Sequence, residues 1–194
     1  KSNKKLAKLK GLVINYRHKK IIKKGEYIMN QKPIFLDGKE KHIPEVLKLN
    51  EELVHFLSPL DEISLKNLID MSEMFKVVEV NGEVAAFLIA VREEKEYKSV
   101  NYLWFSKNYD RFLYIDRVVV SEKYQGMGIG KLIYDEVFSH AQNTGIDKIT
   151  AEIDIKPENL ISLKFHKRFG FKEVGKQLVY DGKKEVSLQA LEIV

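Results

Sequence analysis

Three glycines spaced one residue apart, in Tyr124-Gln125-Gly126-Met127-Gly128-Ile129-Gly130-Lys131, constrain this chain more than any other feature. They stand between a β-branched run, Phe112 to Val120, and an amphipathic stretch from Gly128 to Asn143 with Ile129, Leu132, Ile133, Val137 and Ala141 on one face. A strand-to-helix turn of this kind lets backbone approach a ligand closely. It also presents the unpaired first N–H groups of a helix, a combination that holds a phosphate or pyrophosphate. The spacing departs from a P-loop, because Leu132 follows Lys131 where a hydroxyl would bind magnesium. It departs from a dinucleotide fingerprint too, since no third glycine falls at the required offset.

Around this turn the hydrophobic pattern predicts a mixed sheet. Ile34 to Leu36 reads as a first strand, followed by helices over about Ile43 to Phe56 and Ser64 to Met74, with Ser64 as the second helix's N-cap. Lys76 to Val80 and Glu83 to Val91 form a hairpin across Asn81-Gly82, a pair that readily supplies two positive φ angles. Glu93 to Asp110 has weak periodicity and reads as a long loop. Lys148 to Ile155 alternates as a strand, Glu158 to Arg168 is a short helix, and Phe171 to Tyr180 pairs with Glu185 to Val194 across Asp181-Gly182. The expected architecture is α+β, with helices on the faces of a mixed sheet.

Composition narrows the chemistry. With 194 residues, 44% hydrophobic and no cysteine, the chain suits one globular domain in a reducing cytoplasm and cannot use thiolates as ligands or nucleophiles. The longest apolar run, Val84 to Val91, is far below the roughly 20 residues of a membrane span, so no membrane partner is expected. Residues 1–28 hold ten Lys/Arg and one acid, Glu26; that +9 against +5 overall leaves −4 for the rest. An acidic body argues against nucleic acid as a partner. Residues 1–28 are therefore expected to be a basic appendage preceding a single domain over 29–194, with Met29 the natural start. His18, His42, His55 and His140 show no metal-ligand spacing, and no metal is expected.

Two motifs carry a family resemblance. Gln125-x-x-Gly128-x-Gly130 resembles the acyl-CoA pyrophosphate loop of the GNAT superfamily of N-acetyltransferases, which reads Gln/Arg-x-x-Gly-x-Gly/Ala. About 30 residues on, Asn159-x-x-Ser162-x-x-Phe165-His166-x-Arg168-x-Gly170-Phe171 is similar to that family's late helix, Asn-x-x-Ala-x-x-Leu-Tyr-x-Lys-x-Gly-Phe. The resemblance implies a twisted mixed sheet of about seven strands flanked by four helices, splayed where the acyl-CoA lies. It assigns acetyl-CoA to Val118, Val119 and Val120, whose backbone would meet the pantetheine arm. It also assigns Gln125, Gly126, Met127, Gly128, Ile129, Gly130 and Lys131, with Asn159, Ser162, Phe165, His166 and Arg168.

The same resemblance places Asp116 where many relatives carry the acid that deprotonates the incoming amine, with Glu152 on the next strand as the other candidate base. Asp116 is read as sharing a strand face with Tyr114, Val118 and Val120; its plainer role is an ion pair with a neighbouring cation. His166 replaces the tyrosine that usually returns a proton to the departing thiolate. Tyr114, Trp104 and Tyr109 are expected at the acceptor pocket, although packing under a loop is the default reading for Trp104 and Tyr109 taken singly. The implied activity is acetyl transfer from acetyl-CoA to a primary amine of a small molecule or peptide, by direct attack in a ternary complex, in a bacterial cytoplasm. The alternative is a non-catalytic acyl-CoA-binding regulatory module. A homodimer is left open.

Overall fold

The computed structural model describes residues 32–193 and the backbone of three short strands before them. Those strands, β1 (Lys8–Leu9), β2 (Leu12–Asn15) and β3 (Lys20–Lys23), make a small antiparallel sheet in the order β1-β2-β3. The expected boundary at Met29 lies outside the described residues. The main sheet has seven strands in the order β4-β5-β6-β7-β8-β10-β9, comprising β4 (Ile34–Asp37), β5 (Met74–Val80), β6 (Glu83–Arg92), β7 (Leu113–Val120), β8 (Lys148–Lys156), β9 (Lys172–Val179) and β10 (Lys184–Glu192). Every neighbouring pair is antiparallel except β7 and β8.

The β5–β6 hairpin turns through Asn81 at φ 57° and Gly82 at φ 78°, as the Asn-Gly pair predicts. Each face of the sheet carries its own core. On one face α4 (Ile129–Thr144) and α5 (Leu160–Phe169) pack Ile133, Tyr134 and Val137 against Leu88, Leu113 and Ile149. On the other, α1 (Ile43–Glu52), α2 (Glu62–Met71) and α3 (Val100–Asn108) press Val46, Leu65 and Phe105 onto Phe87, Ile89 and Leu188. Both cores share β6, whose run from Val84 to Val91 is buried on both faces. Each large side chain there contributes roughly 2 kcal/mol.

Four expectations change. The first helix stops at Glu52 instead of Phe56, because the chain turns off at Leu53 toward Ser58, whose carbonyl accepts from the Asn50 amide and from Arg117. Asp61, not Ser64, caps α2: its carboxylate accepts the Ser64 N–H at 2.7 Å, and the helix runs Glu62–Met71. The supposed loop Glu93–Asp110 contains α3, a fifth helix, capped by the Ser99 hydroxyl. Its apolar side chains surround the helix, with Tyr102 and Phe105 buried, Trp104 against Gly175 and Leu103 in solvent, so no single stripe marks it. The last hairpin turns over Tyr180 to Lys183, with positive φ at Tyr180, Asp181 and Gly182.

Candidate active site

Strands β7 and β8 are hydrogen-bonded over only three residue pairs, Leu113 with Ile149, Tyr114 with Thr150 and Ile115 with Ala151. Beyond them the two strands part, although β7 stays paired with β6 as far as Val120. The backbone of β7 from Asp116 onward therefore has an open edge on its β8 side, the splay that the resemblance implies. A β-bulge lies at the fork: Ile89 pairs with Arg117 and Ala90 with Ile115, leaving Asp116 without an opposite residue. This shifts the alternation, so Tyr114 and Val118 fall on opposite faces instead of sharing one with Asp116. The consecutive polar pair Asp116-Arg117 is the one mark of the extra residue in the strand's sequence.

A cleft of about 850 Å³ opens at this fork. Asp116 and Glu152 line its floor, and the walls come from the α1–α2 connection, the segment before α3, the start of α5 and the β9–β10 turn. Asp116 is nearly sealed from solvent and accepts the Tyr97 hydroxyl on Oδ1, while its Oδ2 lies 3.0 Å from Arg117 Nε as an ion pair. Burial raises the Asp116 pKa, and the Arg117 charge and the Tyr97 hydrogen bond oppose that rise. Glu152 Oε2 is buried with no hydrogen-bond partner. Burial, reinforced by the Asp116 charge, pushes the Glu152 pKa up to about 7, with Tyr114 and Asn101 pulling it back. Two carboxylates in one cleft, one held by a cation and one free to take a proton near neutrality, are equipped to accept a proton from an ammonium group.

The three glycines do different things. Gly126 and Gly128 adopt φ of 80° and 78° with nothing within 4 Å of a hypothetical Cβ, so backbone conformation alone requires glycine there. Gly130 has an ordinary φ, but a Cβ would come 3.0 Å from the Phe165 ring; it lets α4 approach α5. The first i→i−4 bond of α4 joins Leu132 N–H to the Gly128 carbonyl, so the N–H groups of Ile129, Gly130 and Lys131 precede the helical ladder. An anion of the pyrophosphate type fits this turn. Met127 and Ile129 pack inward, Gln125 is exposed beside the Val120 carbonyl, and Lys131 pairs with Asp135.

The late motif is also divided between structural and exposed roles. Asn159 caps α5 by accepting the Ser162 N–H at 3.0 Å, Phe165 packs edge-on against Tyr134, and Arg168 is exposed. His166 is 3% exposed at the cleft wall. Its Nδ1 lies 2.8 Å from the Ser162 carbonyl and so carries the proton, leaving Nε2 to accept the Tyr134 hydroxyl at 2.5 Å. Burial lowers its pKa, partly offset by that carbonyl. As it stands, the ring has no free proton facing the cleft. Val118 borders the cleft, Val119 is buried beneath α1, and Val120 packs toward α4.

Of the expected acceptor aromatics, Tyr114 is fully buried with its hydroxyl 3.5 Å from Ser99 Oγ. Trp104 and Tyr109 pack against each other and Phe105, outside the cleft lining. The ion pair read as the plainer role of Asp116 is present, with Arg117 as its cation; Tyr97 and the reach of Arg117 to the Asn50–Ser58 pair were not anticipated. Arg117 directly after Asp116 was the available signal, masked by the rule that consecutive strand residues point to opposite faces. Among the described residues no cluster of three or more His, Asp or Glu side chains is placed to hold a metal, and no helix is long and apolar enough to cross a membrane.

Solved structures share this fold at low identity. Ard1 from Thermoplasma volcanium superposes with a TM-score of 0.69 at 16% identity, covering 84% of this chain and 98% of that one. The ribosomal-protein-S18-alanine N-acetyltransferase from Escherichia coli gives 0.65 at 17%, with 84% and 94% covered. A structure of the NatC complex bound to Gag peptide and CoA gives 0.66 at 15%, with 84% and 99% covered. A search of curated protein sequences returned no match. The model of the acetyltransferase (GNAT) family matches residues 43–171, a span that takes in the forked strands, the glycine turn and α5 together. The chain belongs to the GNAT acetyltransferase family.

Proposed function

We propose that this protein is an N-acetyltransferase that moves the acetyl group of acetyl-CoA to a primary amine of a small molecule or peptide. The observation that carries this reading is Glu152 in the cleft beside the open edge of β7, its Oε2 buried without a hydrogen-bond partner. The open edge and the glycine turn fit acetyl-CoA: free backbone groups of Asp116 to Val120 suit its amide-bearing arm, and the turn from Gln125 to Lys131 suits its pyrophosphate. When bound, that group supplies a thioester already activated toward amines.

The chain's own residues then manage position and protons. Glu152, half ionised near pH 7, takes a proton from the ammonium form of the acceptor so that a neutral amine is available to attack. Asp116 adds negative charge that favours a cationic acceptor, and Tyr97 and Arg117 keep it in place. Direct attack in a ternary complex is favoured over a covalent enzyme intermediate. The chain has no cysteine, and His166 cannot activate the Ser162 hydroxyl because Nδ1 already gives its proton to a carbonyl. With His166 neutral, its part is to brace α5 against α4, and the departing thiolate takes its proton from water in the open cleft.

The test is release of free CoA from acetyl-CoA across a panel of primary amines, polyamines and peptides with free N-termini. Saturable turnover with an intersecting initial-rate pattern supports the reading. Acetyl-CoA binding without turnover on any amine would replace it with a binding module.

A further inference from the structure

We propose that Arg117 is a positioning residue: its buried guanidinium fastens the acceptor-side wall of the cleft to the strand that carries Asp116. Arg117 is 5% exposed and reaches three parts of the chain at once. Nη1 donates to Asn50 Oδ1 on α1 at 2.7 Å and to the Ser58 carbonyl at 2.9 Å, and Nη2 donates to Ser58 Oγ at 2.5 Å. Nε lies 3.0 Å from Asp116 Oδ2. Asn50, itself buried, donates its amide to the same Ser58 carbonyl at 3.2 Å.

The segment held in this way packs Leu53, Leu57 and Leu60 against the core but has few hydrogen bonds to fix its backbone. Between Leu53 and Leu60 the chain forms neither helix nor strand, and its own backbone bonds are short-range turns such as Phe56 N–H to the Leu53 carbonyl. Yet Leu53, Phe56, Leu57 and Ser58 all line the cleft. A second polar tie to a distant element comes from Lys184, which donates to the His55 carbonyl at 3.0 Å. A planar guanidinium with several donors in fixed directions suits this junction where a lysine ammonium does not.

The bulge makes the arrangement possible. In an unbroken strand Asp116 and Arg117 would point to opposite faces; the extra residue brings both to the α1 side, where one cation serves the carboxylate and the wall. Arg117 thereby has two separable effects, a geometric one on residues 53–58 and an electrostatic one on the carboxylate pair. The groups facing that pair are Tyr97 from the segment before α3, Tyr114 on β7 and Asn101 on α3, of which only the tyrosines titrate. Arg117 is the cation in contact with Asp116. This role rests on the proposed acetyl transfer for its purpose, but its physical content can be measured without turnover.

Two variants of the full chain separate the effects. Arg117→Lys keeps the charge and loses the fork; Arg117→Gln loses both. Hydrogen exchange of the unliganded protein should show amides 53–58 exchanging about tenfold faster in both variants, as expected for the loss of charge-assisted hydrogen bonds, with the sheet unaffected. Carbon-13 detected titration should move the Asp116 midpoint to higher pH in Arg117→Gln only, because Arg117 is the cation in contact with that carboxylate and opposes the rise that burial causes. Unchanged exchange at 53–58, or a rise spread evenly over the chain, overturns the positioning role, as does an unmoved midpoint in Arg117→Gln for the electrostatic part. Should neither arginine variant fold, Ser58→Ala decides: faster exchange confined to 53–58 supports the role, and native exchange there refutes it. Failure of wild-type turnover on the amine panel, by contrast, would sink the enzymatic reading and leave these measurements standing.

Discussion

Replacing Glu152 by Gln should make the protein more stable and less active at once, and the size of the gain should depend on pH. The folded protein holds a proton on this carboxyl up to about pH 7, whereas an unfolded chain releases it near pH 4.3. Folding therefore takes up a proton between those values. The sign follows: the unfolded state binds fewer protons there, so stability is highest at the acid end and falls as pH rises through the window. At roughly 1.4 kcal/mol for each pH unit, the ionised carboxylate costs the folded state up to about 3 kcal/mol above pH 7. Glutamine keeps the shape and cannot ionise. The variant should melt roughly 6–12 °C above the parent near pH 8, a gain that shrinks below about 1 kcal/mol near pH 5. Turnover should fall at least about a hundredfold, and the rising limb of kcat/KM near pH 7 should vanish with it. Thermal melts of both proteins across this range, alongside initial rates, give the answer. A melting difference that does not change with pH, or a variant less stable at pH 8, would refute the reading of a buried carboxyl that keeps its proton to near neutrality.

Gly128→Asp tolerates the left-handed φ better than most substitutions but sets a negative charge at the turn; acetyl-CoA should cease to raise the melting temperature, and an undiminished shift would remove the pyrophosphate from this site. Gly130→Ala should cost about 1–3 kcal/mol in urea denaturation through its contact with Phe165, and Phe165→Leu in the same chain should recover most of it. His166→Ala leaves the buried Tyr134 hydroxyl without its partner and should destabilise by about 3 kcal/mol, with turnover per folded molecule changed only severalfold. A hundredfold drop in kcat at native stability would instead restore His166 as the proton donor.

The elements were legible where one local rule dominated. The Asn81-Gly82 hairpin, the Gly145 stop of α4 at φ 66° and the alternation of β8 each follow from a few neighbouring residues. The strand fork was legible only through the resemblance, since nothing in Val118 to Val120 says that their neighbour leaves. The misses share a cause: α3 and the early end of α1 are fixed by partners distant in sequence. Arg117 on Ser58 is a contact 59 residues apart, and Gln177 on Asn101 spans 76. In the site, the glycines were found by residue type and spacing and the carboxylates through the resemblance. Tyr97 and the arginine junction were not, because their significance lies in which face a bulged strand turns toward them.

The extra residue at Asp116 acts as a phase slip in an eight-residue strand. Upstream of it odd-numbered side chains look toward α4 and α5; downstream the even-numbered ones do. A one-residue deletion between Ile115 and Val118 would heal the slip with every flanking side chain on its present face, but only one of Asp116 and Arg117 would be left on the α1 side, so the cleft would lose either its carboxylate or its cation. Length at this point is therefore under tighter constraint than composition: valine for isoleucine should pass, while a gap should not. Grafting the glycine turn and its preceding strand onto another sheet would need the slip carried along at the same distance, ten residues ahead of the first glycine, or the graft would present its valines where the carboxylate belongs.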